Sequence, residues 1–217
     1  MDNQEQLRAS LCDVAIRLND TGLNHGATGN CSVRTAQGFL ITPSGVANRN
    51  LTPETIIELN MEGKKITTSD FNASSEWLFH KDLYLANENI NAVIHSHAPY
   101  ATSVSTLKKD LTPFHYMIAV AGGKDIRCAD YALFGTQALS DHILKAMQDR
   151  KACLLANHGL LTVGENLDIA FDITEEIEHL CMVYLNAKKL GEPEILTDVQ
   201  MEEVVNRFQS YSRWRKD

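Results

Sequence analysis

Basic residues are scarce in this 217-residue chain: 20 lysines and arginines stand against 28 aspartates and glutamates, for a formal net charge of −8. No Lys/Arg-rich run occurs, which argues against non-specific nucleic-acid binding and against a basic membrane-surface face. An anionic ligand is still admissible, but a local device must overcome the global field, either a metal ion or converging backbone N–H groups. No apolar stretch reaches the ~18–20 residues of a membrane span. The polar start Met-Asp-Asn-Gln-Glu-Gln lacks the apolar core of a signal peptide, so the expected setting is the cytoplasm. The five cysteines (Cys12, Cys31, Cys128, Cys153 and Cys181) are odd in number, widely spaced and without a C-x-x-C pair. They read as reduced thiols that fill core space rather than as a disulfide framework or a cysteine-rich zinc site. Internal repeats, low-complexity segments and composition shifts are also missing, so residues 1–217 read as a single domain.

The elements follow from periodicity. Leu7, Leu11, Val14, Ala15 and Leu18 recur at helical spacing over residues 5–19. The stretch "TGLNHGATGNCSVR" is a glycine-rich loop entering a short strand, and "GFLITPSGV" is a strand that stops at Pro43. "IIELNMEGKKI" predicts a hairpin turning at Glu62-Gly63. Ser74 or Ser75 is the expected N-cap of a helix carrying Trp77, Leu78, Leu83 and Tyr84. A strand "AVIHSH" precedes a helix over 98–107, and "MIAVAGG" and "DIRCADY" are weaker strand candidates. Thr136 caps a helix to about Met147, "ACLLANHGLLTVG" gives two strands broken at Asn157-His158-Gly159, and helices follow over 166–189 and 197–209. Hairpins mixed with helical crossovers predict an α/β fold: a three-layer α/β/α arrangement around a central mixed, largely antiparallel sheet.

Several polar residues stand out against this frame. His95 and His97 are two apart on a strand, so both project from one face at its open end, as a divalent ion such as Zn2+ requires. A pattern this short also arises by chance, so the remaining ligands must be found elsewhere. His158 follows the apolar run "ACLLAN" and precedes a glycine; it is either a third ligand or a loop histidine capping a carbonyl. Glu76, in the first turn of a helix, is either a fourth ligand or a capping carboxylate. His80 lies four residues on and could pair with Glu76 or be a fifth ligand. Three further segments, "TGN" (28–30), "PSG" (43–45) and "SS" (74–75), offer hydroxyls and turn N–H groups that could together cradle a phosphate without lysine or arginine. Each of them alone is also ordinary turn chemistry.

Six ordered stretches, "GLNHGATGNCSVR", "LITPSGV", "SSEWLFHKDLY", "NAVIHSHAPYATSVS", "HYMIAVAGGKDIRCADYALFGT" and "ANHGLL", resemble the class II aldolase and L-ribulose-phosphate 4-epimerase family over about residues 5 to 211. The resemblance implies one Zn2+ per subunit held by His95, His97 and His158, with Glu76 as fourth ligand and general acid/base. It implies a substrate phosphate held by Gly29, Asn30, Ser44, Gly45, Ser74 and Ser75. It also implies a proton-donating Tyr116 supplied by the neighbouring subunit of a homotetramer, and Phe134, Phe208 and Tyr211 near the substrate. The implied reaction is reversible cleavage of a ketose 1-phosphate of the L-fuculose type to dihydroxyacetone phosphate and a lactaldehyde-type aldehyde through an enediolate. 5-Deoxypentulose-1-phosphate cleavage and 4-epimerisation of L-ribulose 5-phosphate are the alternatives on the same scaffold. The epimerases carry aspartate where His115-Tyr116-Met117 stands here, which favours the aldolase. Ser44 departs from the family's usual threonine but keeps the hydroxyl. An assembly-only domain would be expected to have lost ligands, and a structural zinc site would be rich in cysteine.

Overall fold

A computed structural model of the chain describes residues 3–209. The chain opens with α1 (Asn3–Asp20) and continues through β1 (Asn30–Arg34), β2 (Gly38–Ile41) and β3 (Ile57–Asn60). Next come α2 (Trp77–Ala86), β4 (Ala92–Ser96) and α3 (Pro99–Ser105), followed by β5 (Arg127–Ala129) and α4 (Gln137–Ala146). The β6 (Ala152–Leu155) and β7 (Gly159–Gly164) strands form a hairpin, and α5 (Leu167–Leu190) and α6 (Asp198–Gln209) close the described chain. The sheet order is β3-β2-β1-β4-β7-β6-β5, antiparallel throughout except for the β5–β6 pair.

Both sheet faces are covered, because successive strand residues point to opposite sides. Ile94, Leu154 and Leu160 pack with Leu11 and Leu18 of α1, Val104 of α3 and Phe171 and Ile177 of α5. Their neighbours Val93, Leu155 and Leu161 pack instead with Phe79 and Leu83 of α2 and Leu139 and Ile143 of α4. The result is the expected three-layer fold with a mixed, largely antiparallel sheet. Strands buried on both faces explain the continuous apolar runs "AVI" and "ACLL". All five cysteines are free, and burial pushes the Cys12 and Cys128 thiols up to about 11. No helix among the described residues is long and apolar enough to cross a membrane.

Three local expectations differ from the structure. "MIAVAGG" is not a strand. Tyr116–Ala121 form a 3-10 helix whose last four residues are buried, entered at His115, whose Nδ1 accepts the Met117 N–H, and ended by Gly122 at φ 88. Beyond Tyr116 the segment is apolar without alternation, so it has no polar face to turn to solvent, and residues 118–121 sink into the core. The return arm of the "IIELNMEGKKI" hairpin shrinks to the single bridge Leu59–Lys65. Neither Ser74 nor Ser75 caps α2: the N-cap position is Glu76, at φ −99 and ψ 12, and α2 begins at Trp77.

Candidate active site

The open ends of β4 and the β6–β7 hairpin meet, because β4 pairs with β7 in a register that sets His95 opposite Leu161 and Ser96 opposite Leu160. That register brings His158, in the turn after β6, against His95 and His97. Asn157 takes φ 55 to make the turn. Gly159 is needed beside it, since a Cβ there would lie 2.4 Å from the Ser96 carbonyl oxygen and 3.3 Å from His97.

One ring nitrogen of each of the three histidines lies within 4.8 Å of the others, and His95 Nε2 and His97 Nε2 are 3.1 Å apart. The His95 tautomer is set by its surroundings: Nδ1–H donates to the Leu160 carbonyl at 3.0 Å, which leaves Nε2 with its lone pair toward the cluster. Burial, then the neighbouring imidazoles, lowers His95 to about 3 and His158 to about 4; burial also lowers His97. The rings are therefore neutral at ordinary pH, the form in which an imidazole can bind a metal. Glu76 reaches the cluster from the start of α2, with Oε1 3.5 Å from His158 Nε2 and Oε2 3.5 Å from His95 Nε2. With neutral imidazoles these approaches are not ion pairs. Glu76 Oε1 is buried and has no hydrogen-bond partner. The His95 lone pair and the unpartnered carboxylate oxygen repel one another unless a cation lies between them. The donor set, three neutral nitrogens and one carboxylate, suits a divalent transition metal.

A cavity of about 240 Å³ opens beside the cluster. Its wall includes Gly29, Asn30, Ser44, Gly45, Ser74, Ser75, Glu76, His97, Phe134 and His158, with no lysine or arginine among the described residues. The three turn segments thus converge on one space. The backbone N–H groups of Gly45 and Ser75 enter no hydrogen bond among the described residues. Gly29 at φ 69 is held to glycine, because a Cβ would meet Asn24 at 2.4 Å and the His95 carbonyl at 2.6 Å.

Two placements were not legible beforehand. Asn24 Oδ1 accepts the His97 N–H at 2.9 Å and steadies the loop that carries this histidine; its only sequence signal is its place in "GLNHGATGN". His80 does not pair with Glu76 or join the cluster. Its Nε2 is 2.5 Å from Asn30 Oδ1, and it is Asn30 Nδ2 that donates to Glu76 Oε2, at 2.9 Å. Tyr116 and Phe208 lie elsewhere in the chain, lining a separate cavity of about 800 Å³ with acidic residues of α5. Tyr211 lies outside the described residues.

The sequence matches the family described as class II aldolase and adducin N-terminal domain over residues 9–185. It is 43% identical over 205 residues to a 5-methylthioribulose-1-phosphate/5-deoxyribulose-1-phosphate aldolase of Rhodospirillum rubrum, covering 94% of this chain and 92% of the relative. It is 39% identical over 209 residues to the L-fuculose phosphate aldolase of Escherichia coli K12, covering 96% of each. A solved structure of an L-fuculose 1-phosphate aldolase superposes with a TM-score of 0.90 at 39% identity, covering 96% of this chain and 97% of that one.

Proposed function

The chain belongs to the class II aldolase and adducin N-terminal domain family and is an aldolase, a carbon–carbon lyase, and we propose that it is a zinc-dependent ketose-1-phosphate aldolase. The observation that carries this reading is the juxtaposition at one sheet end of three neutral imidazoles with converging ring nitrogens, one unpartnered carboxylate oxygen and a cavity walled by hydroxyls and turn N–H groups.

In this reading His95, His97, His158 and Glu76 hold the ion. Bound there, a zinc ion supplies Lewis acidity for the charge that develops on the ketone oxygen as the C3–C4 bond breaks. Gly29, Asn30, Ser44, Gly45, Ser74 and Ser75 hold the phosphate, so binding energy at C1 becomes orientation at C3 and C4. Glu76 carries the proton exchanged at C3. Tyr116 serves the aldehyde oxygen, where the C4 hydroxyl proton leaves in cleavage and returns in synthesis. Tyr116 and Phe208 line a cavity other than the one beside the histidine cluster, and in this reading a neighbouring subunit of a homotetramer brings them to the site. Phe134, at the cavity wall, bounds the substrate on this chain.

Two ketoses fit the same donor half. L-Fuculose 1-phosphate gives dihydroxyacetone phosphate and lactaldehyde. 5-Deoxyribulose 1-phosphate, favoured by the name of the 43% identical relative, gives dihydroxyacetone phosphate and acetaldehyde. A coupled assay for dihydroxyacetone phosphate with both substrates and with L-ribulose 5-phosphate, with and without chelator, tests the proposal. Chelator-sensitive release from either of the first two is expected. Epimerisation of the third without any release refutes it.

A further inference from the structure

Behind Glu76 runs a buried chain of polar groups, of which the proposed function uses only Asn30. Tyr84 OH is 2.7 Å from Ser32 Oγ, and Ser32 Oγ is 2.7 Å from His80 Nδ1. His80 Nε2 is 2.5 Å from Asn30 Oδ1, and Asn30 Nδ2 donates to Glu76 Oε2 at 2.9 Å. Ser32 and His80 are wholly buried, and Tyr84, Asn30 and Glu76 nearly so.

The directions are forced from the Glu76 end. A carboxylate accepts only, so the Asn30 amide must turn its NH2 toward Glu76 and its oxygen toward His80. That oxygen requires an N–H on His80 Nε2. His80 Nδ1 then accepts from Ser32, and Ser32 accepts from Tyr84. Every donor points toward Glu76, and the far end is anchored on the buried Tyr84 phenol. Such an aligned set holds a side chain in place more firmly than separate bonds do.

We propose that His80 is a positioning residue for Glu76: it fixes the Asn30 amide, which pins Oε2 and leaves Oε1 as the oxygen that approaches the metal and carries the proton. This rests on the proposed role of Glu76. Because Asn30 also lines the phosphate cavity, the same amide ties the carboxylate to the wall that orients the substrate.

The test compares His80→Leu and His80→Gln in the metal-loaded enzyme, measuring metal content, kcat, KM and solvent exchange of the C3 hydrogen of dihydroxyacetone phosphate. The glutamine Nε2 overlays the histidine Nε2 and donates to Asn30; leucine fills the space without donating. Loss of a partner that orients a ligand typically costs about 10- to 100-fold in activity. A kcat loss of that size is expected for His80→Leu, with KM and metal content near wild type and exchange slowed in step. His80→Gln is expected to recover most of it. Equal losses in both variants, or metal lost in step with kcat, overturn the proposal in favour of a packing role. If His80→Leu does not fold, His80→Asn replaces it, since its amide stops short of Asn30 and is expected to behave as leucine. Glu76→Gln is measured in parallel. Full activity there overturns the role of Glu76 itself, whereas an inactive Glu76→Gln beside a fully active His80→Leu overturns only the positioning role.

Discussion

Gly159→Ala perturbs the candidate metal centre without altering any of its ligands. The added Cβ would lie 2.4 Å from the Ser96 carbonyl oxygen, 3.3 Å from His97 Cδ2 and 3.4 Å from His95 Cε1. Carbon–oxygen contacts settle at about 3.3–3.6 Å, so β4 and the start of β7 must part by about 1 Å at this point. His95 and His97 ride on one side of that gap and His158 on the other. Metal–ligand distances tolerate deviations of about 0.2 Å, and a misplacement of about 1 Å at a reacting centre can cost about 100-fold in rate. Over-packing adds about 1–3 kcal/mol of destabilisation. The expected outcome is a folded protein, less stable in urea, with markedly weaker metal retention against a graded competitor and kcat about 100-fold down. Gly22→Ala is the control. Gly22 also has a positive φ, 77, but nothing lies within 4 Å of its would-be Cβ; it strains the backbone and should keep metal and turnover. Wild-type metal affinity and kcat in folded Gly159→Ala would refute the idea that the β4–β7 spacing sets the ligand geometry.

Three other outcomes follow from the same site. Glu76→Gln should retain much of the metal while losing about 10²- to 10⁴-fold in turnover, the range for a general acid/base; metal analysis beside steady-state kinetics checks it. Tyr116→Phe should slow aldol cleavage more than proton exchange at the ketone donor, read by loss of label from dihydroxyacetone phosphate; equal slowing would remove Tyr116 from the aldehyde oxygen. His80 is held neutral when folded, its pKa well below the usual histidine value, first by burial and then by His95. Unfolded, it takes up a proton near its ordinary value, so the unfolded state binds more protons as pH falls. This contribution is present at neutral pH and is lost below about pH 6.5 at about 1.4 kcal/mol per pH unit, until the folded pKa is reached. Urea melts of metal-free wild type and His80→Gln between pH 7 and 5 should differ in slope by that one proton.

The strands and helices were legible where periodicity and caps were strong. Thr136 caps α4 with a side-chain bond to the Leu139 N–H, as its place before an apolar run suggests, whereas Asn166 caps α5 through the Ile169 N–H instead of forming its first residue. "MIAVAGG" (117–123) departs from the expected strand because apolar character without alternation does not distinguish a strand from a buried 3-10 helix. At the site, the residue types that could ligate a metal or line an anion pocket were visible, since their chemistry is local. The i, i+4 spacing of Glu76 and His80 suggested a direct pair, but that spacing counts only when both residues are helical. Glu76 is the N-cap, outside the helical region of the backbone, so its carboxylate swings toward the strand ends and His80 faces β1.

What the sequence determines by itself is therefore a set of chemical capacities and the faces on which they lie: two histidines on one side of β4, a third beside a glycine at a hairpin turn, three hydroxyl-bearing turns, and helices amphipathic enough to cover a sheet. The tertiary structure decided which capacities meet. The β1–β4–β7 register sets Asn30 beside His95 and brings His158 to both. The packing of α2 on that sheet then threads Tyr84, Ser32, His80 and Asn30 into one line behind Glu76. Residues some fifty positions apart become hydrogen-bond partners because burial forbids any of them to turn to water instead.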